Sequence, residues 1–224
     1  MSLRLVLLGP PGSGKGTLAQ ELETRVQIAH LSTGDIFRRE IKQRTMLGRQ
    51  VERYVTAGLL VPDEVVVGVM THQLTRERLQ RGFVLDGFPR TIGQAHGLDE
   101  FLRRRQPLDG ALYLACSLPV LIERLGGRRV CSGCGANYHV RNKPPIRPGV
   151  CDQCTRRLVV REDDHVQTIR KRLAVDRAQA KPLLAYYARQ ALLHRLTGSG
   201  SSEAVFARAL KLCVQRGWLT QSDR

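Results

Sequence analysis

Two kinds of pattern alternate along this chain. Short, mostly apolar runs of strand length occur at 4–9 (RLVLLG), 83–87 (FVLDG), 111–116 (ALYLAC) and near 192–196 (LLHRL), and longer stretches with helical spacing separate them, the first from about Gly14. That alternation predicts βαβ units and a parallel, doubly wound sheet. Two segments interrupt it. Residues 32–61 are polar and predict short helices. Residues 130–154, VCSGCGANYHVRNKPPIRPGVCDQC, carry Pro144-Pro145 and several glycines and predict hairpins and loops. The expected architecture is one α/β sheet with two insertions.

At 224 residues and 42% hydrophobic, the chain suffices for one sizeable core with small insertions but falls short of two full domains. Its longest apolar runs are far below the roughly 18 residues of a membrane helix, so no membrane partner is expected. The opening MSLR leads straight into a strand-like run and has none of the features of a secretory leader. A soluble, cytoplasmic protein is therefore expected, and in a reducing compartment paired Cys-x-x-Cys knuckles predict a metal rather than disulfides. Cys116 and Cys213 lie outside the knuckles in apolar runs, where buried core thiols are expected.

The formal charge is +16, from 36 basic and 20 acidic residues, and 30 of the basic ones are arginine. Such a balance attracts polyanions in general. The basic residues are spread along the whole chain, however, and its 5 Phe, 5 Tyr and 1 Trp leave few stacking platforms for single strands. A nucleic-acid partner is not expected.

Gly9-x-x-x-x-Gly14-Lys15 follows the first apolar run and opens a helix, the context that makes this pattern a phosphate loop. Backbone N–H groups of Gly12, Ser13, Gly14, Lys15, Gly16 and Thr17 can converge on a nucleotide phosphate, with the Lys15 ammonium bridging phosphates at the positive end of a helix. Where the motif ordinarily places Ser or Thr directly after the lysine, this chain has Gly16 and then Thr17, which leaves magnesium ligation by the loop hydroxyl open.

The Gly-Lys-Gly-Thr ending, LSTGDIFR at 31–38, GLLVPDE at 58–64 and LDGFPRTIGQA at 85–95 together resemble adenylate kinase. The likeness continues through ERLGGRR at 123–129, the cysteine stretch, REDD at 161–164, RKRL at 170–173 and KPLLAYY at 181–187, nearly the whole chain. It is similar to the bacterial type with a long, zinc-binding lid. The resemblance implies a five-stranded, doubly wound parallel sheet as a core of residues 1–31, 62–126 and 165–224, a nucleoside-monophosphate-binding insertion at 32–61 and a zinc-ribbon-like lid at 127–164. It implies reversible transfer of phosphate from MgATP to AMP, giving two ADP, and a monomer.

By the same resemblance Lys15 holds the ATP phosphates, Arg38 and Arg90 clamp the AMP phosphate, and Arg124, Arg128, Arg161 and Arg172 converge on ATP and the transferring group. Guanidinium forks suit that task because they match phosphate oxygens two at a time. Asp86, at the end of a strand-like run, would hold magnesium through water. Gln94 would read the base, since an amide can donate to a ring atom of adenine and accept from its amino group. Thr33, Leu59, Leu60, Val61, Gly87, Phe88 and Pro89 complete the AMP contacts, with the Phe88-Pro89 bond cis, and Asn137, Tyr138 and Gly200 complete the ATP side.

Cys131-x2-Cys134 and Cys151-x2-Cys154, sixteen residues apart, have the spacing of a four-cysteine zinc site. A closed thiolate shell predicts a structural metal; iron is the other metal that such a site accepts. A segment of about 38 residues is too small for a good apolar core, so the metal would supply the stiffness of a flap. Two other readings remain at this stage: a kinase for a different base, and a P-loop ATPase with a nucleic-acid-binding zinc ribbon, whose ATP hydrolysis nucleic acid would stimulate.

Overall fold

The computed structural model describes residues 3–76, 79 and 82–220. Its centre is a five-stranded, all-parallel sheet of β1 (Leu3–Leu8), β2 (Ala29–Ser32), β3 (Gly82–Asp86), β4 (Gly110–Ala115) and β8 (Leu193–Thr197), in the order β2-β3-β1-β4-β8. β1 is buried along all six residues, as expected of a central strand covered on both faces. The four strand-like runs of the sequence are four of these strands. β2 is not among them: AHLS is four residues long, buries only two, and pairs with one neighbour at the sheet edge.

Side chains alternate across the pleat and build two cores. Leu5, Leu7, Val84, Leu112 and Leu114 pack with α1 (Lys15–Val26) and α8 (Ser202–Gln215) on one face. Val6, Leu8, Phe83, Leu85 and Ala111 face the other, under α4 (Asp63–Leu74), α5 (Ile92–Leu102) and α7 (Val166–Arg189). Cys213 is buried as expected, in the first of these cores. Cys116 departs from expectation: it lies one residue past β4, at the sheet's carboxyl edge, half-buried beside the phosphate loop.

The two interruptions are distinct structures. Residues 33–57 form α2 (Thr33–Lys42) and α3 (Met46–Ala57), started by Ser32 and Thr45, whose hydroxyls accept from Asp35 and Gly48 N–H. After α6 (Leu118–Gly126) the cysteine segment forms a three-stranded antiparallel sheet, β6-β5-β7, from β5 (Arg128–Cys131), β6 (Asn137–His139) and β7 (Leu158–Val159). Its own core is Cys131, Tyr138, Cys151 and Leu158.

Candidate active site

Every strand of the central sheet points the same way, so the carboxyl ends share one edge, and the order reverses at β1. Ligands bind in the crevice outside such an edge. The register sets Leu7 opposite Asp86 and Asp86 opposite Ser32, which brings the phosphate loop, Asp86 and the start of α2 together.

Gly14 caps α1 at φ 97, in the left-handed region that lets the loop turn its amides toward the crevice. Lys15 Nζ folds over the loop, donating to Gly9 O at 2.5 Å and Pro10 O at 2.9 Å. Burial lowers the Lys15 pKa, against the pull of Asp86 and Asp176. The Gly16 that departs from the usual motif has a local reason: a Cβ there would stand 3.1 Å from Asp86 Oδ2. Burial alone would raise the Asp86 carboxyl, but His30, at 3.8 Å, and Lys15 bring it below its ordinary value.

The guanidinium groups expected from the sequence meet here, and two carboxylates of the cysteine segment's far end tie them. Asp164, with a side chain 0% exposed, accepts from Arg128 Nε at 2.6 Å and Arg172 Nη1 at 3.0 Å. Asp163 lies 2.9 Å from Arg172, 3.2 Å from Arg161 and 4.0 Å from Arg38 of α2, which also pairs with Asp35 at 2.6 Å. Burial and the neighbouring Arg38 and Arg128 push Arg161 down to about 9. For Asp163, burial alone would raise the carboxyl, and the surrounding arginines hold it at about 2. Arg124 bonds carbonyls instead, Gly198 O at 2.8 Å and Gly200 O at 3.0 Å.

These side chains line one cavity of about 720 Å³. Lys15, Asp86, Arg38, Arg90, Arg124, Arg128, Arg161 and Arg172 all border it, as do the loop residues 12–17, Thr33, Leu59 to Val61, Gly87, Gln94, Asn137, Tyr138 and Gly200. Phe88 and Pro89 are not brought to it. Phe88 is fully buried in the core, the bond between the two is cis as expected, and the flanking Gly87 and Arg90 border the cavity instead. Thr33 Oγ1 is already engaged, donating to Gly87 O at 2.9 Å. Tyr138 borders the cavity, yet its hydroxyl belongs to the knuckles, 3.5 Å from Cys151 Sγ and accepting from Asp152 N–H at 2.9 Å.

The four knuckle sulfurs lie within 4.8 Å of one another, with Cys131–Cys154 at 3.3 Å and Cys134–Cys151 at 3.6 Å. A tetrahedral metal with bonds of about 2.3 Å separates its sulfurs by roughly 3.8 Å, so the donor set fits zinc. Gly133 N–H donates to Cys131 Sγ at 3.3 Å, the kind of outer contact that orients a thiolate.

Sequence reasoning missed His30 and Asp63. His30 precedes a recognised stretch by one residue, and only the pairing of β2 with β3 brings it to Asp86. Asp63 lies inside the quoted GLLVPDE, but an acidic residue in a first helical turn reads as an ordinary helix start.

A P-loop facing a second, arginine-rich lobe across one crevice places the protein among the P-loop nucleotide phosphotransferases. The adenylate kinase family model matches residues 7–192. An adenylate kinase of Moorella thermoacetica is 49% identical over 217 residues, covering 96% of this chain and 100% of the relative. One of Clostridium botulinum (strain 657) is 46% identical over 205 residues, covering 91% and 95%, and one of Thermoanaerobacter sp. (strain X514) is 44% identical over 216 residues, covering 96% and 100%. The chain belongs to the adenylate kinase family.

Proposed function

We propose that the protein moves the γ-phosphoryl group of MgATP onto AMP and back, giving two ADP. The observation that carries this is the meeting of Lys15 with five arginines, Arg38, Arg90, Arg128, Arg161 and Arg172, around one cavity. Phosphoryl transfer passes through a loose transition state with charge spread over equatorial oxygens, so positioning and charge neutralisation do most of the catalytic work.

In this reading Lys15 and the loop amides of residues 12–17 hold the ATP phosphates. Arg38 and Arg90 clamp the AMP phosphate, and Arg128, Arg161 and Arg172 follow the transferring group. Among the described residues no carboxylate pairs with Arg90, which leaves its fork for a phosphate. Arg124, Asn137, Tyr138 and Gly200 border the ATP nucleoside; Thr33, residues 59–61, Gly87 and Gln94 border AMP. Magnesium arriving with ATP would neutralise phosphate charge, with the ionised Asp86 holding its water shell.

Residues 32–61 and 127–164 serve as the AMP-binding insertion and the lid on the core. The cysteines hold structural zinc, because four thiolates close the shell. Lid closure excludes water, the competing acceptor. The ATPase with a nucleic-acid ribbon loses ground, since the cysteine segment supplies Arg128, Asn137 and Tyr138 to the nucleotide cavity. A cytoplasmic monomer acting on small nucleotides completes the proposal; among the described residues no helix is long and apolar enough to cross a membrane. Purified protein given only MgADP should form ATP and AMP in equal amounts, followed by phosphorus NMR. Slow release of inorganic phosphate without AMP would contradict the proposal.

A further inference from the structure

We infer that Asp63, which does not border the cavity, sets which purine the enzyme accepts by fixing the orientation of the Gln94 amide. The inference rests on the reading of Gln94 as the contact to the AMP base. Gln94 is 1% exposed and its amide is held at both ends. Nε2 donates to Asp63 Oδ1 at 2.8 Å, and Oε1 accepts from Arg90 N–H at 2.8 Å. Asp63 is itself held, accepting at Oδ2 from the Thr91 hydroxyl at 2.7 Å, and Thr91 Oγ1 caps α5 by accepting from Gln94 N–H at 3.1 Å. Gly93 permits the approach: a Cβ there would stand 2.5 Å from Asp63 Oδ2.

A carboxylate only accepts and a backbone N–H only donates, so nitrogen must face Asp63 and oxygen must face Arg90. That leaves Gln94 one N–H and one lone pair, in a fixed order. Adenine presents a ring acceptor beside an exocyclic donor and matches them. A 6-oxo purine such as hypoxanthine presents a ring donor beside an exocyclic acceptor, so it opposes donor to donor and acceptor to acceptor. Accepting it would require the amide to turn over, setting Oε1 against the Asp63 carboxylate and Nε2 against Arg90 N–H. Asp63 is thus a positioning residue that supplies one of the two penalties.

The test compares kcat/KM for AMP and for IMP, each with MgATP, in the wild type, Asp63→Asn and Asp63→Ser, with Gln94→Ala as the control. In Asp63→Asn the introduced amide can rotate to meet a turned Gln94, whereas Arg90 N–H still resists. The AMP-to-IMP ratio should therefore fall by about tenfold in Asp63→Asn, through a gain with IMP and a higher KM for AMP rather than a lower kcat. AMP and IMP rates moving in parallel, with the ratio unchanged in both Asp63 variants, would overturn the inference; so would loss of folding in both, which would make Asp63 purely structural. If Gln94→Ala keeps the wild-type ratio, the base reading itself falls and takes the inference with it. If Gln94→Ala loses the ratio while the Asp63 variants keep it, only the inference falls.

Discussion

At the residue scale the site is a problem in holding like charges together. Arg38, Arg128, Arg161 and Arg172 crowd around two carboxylates, Asp163 and Asp164, whose negative charge offsets theirs. The Asp163 carboxyl sits at about 2 against an ordinary 3.8. A depressed pKa means that its contribution is complete above the ordinary value and is lost as pH falls from there through about 2. That shift corresponds to on the order of 2 kcal/mol. Acid unfolding should then find the wild type more stable than Asp163→Asn above about pH 4 by that amount, with the two converging near pH 2; a constant gap across that range would contradict it. Arg90→Ala should keep its melting temperature and lose on the order of 10²-fold or more in kcat/KM, because a charge-assisted clamp is removed while no core contact is. Ordinary turnover in that variant would refute the clamp. Most of these residues were legible because motif spacing singled out six arginines among 30. Their compensation by Asp163 and Asp164, and the hold of Asp63 on Gln94, depend on pairs that lie from 2 to 125 residues apart and on side-chain direction, which spacing does not encode.

At the element scale, the long central strands were readable and the short ones were not. β1 and β4 are six residues long, mostly apolar and largely buried, whereas β2 has four residues and the strands of the cysteine segment have 4, 3 and 2. No period can be read from so few positions. Those short strands also bear on why a metal is proposed at the knuckles. A core of four buried residues, two of them knuckle cysteines, buries too little apolar area to hold about 38 residues rigid unaided. Cys131→Ser, or removal of the metal with a chelator, should lower the melting temperature by several degrees while activity at low temperature falls less than about threefold. If activity vanished with stability intact, the metal would be catalytic. Besides the approach of Arg38 to Asp163, a hydrogen bond joins the α2–α3 segment to the cysteine segment: Lys42 Nζ at the end of α2 donates to Ser132 O inside the first knuckle at 2.7 Å. The first knuckle therefore also supplies an acceptor for the end of α2.

At the scale of the whole molecule, the sheet supplies one crevice, and the two interruptions of the sequence pattern turn out to be the two structures that border it from outside the core. The central claim is that cations from three parts of the chain gather on the phosphates of two nucleotides beneath the cysteine segment. Its most direct test is a crystal structure with a bisubstrate mimic, two adenosines joined through a phosphate chain. The phosphates should lie between Lys15 and Arg38, Arg90, Arg128, Arg161 and Arg172, with Asn137 and Tyr138 over one adenosine. A mimic bound with the cysteine segment turned away from it, and Arg128 and Arg161 far from any phosphate, would contradict the account.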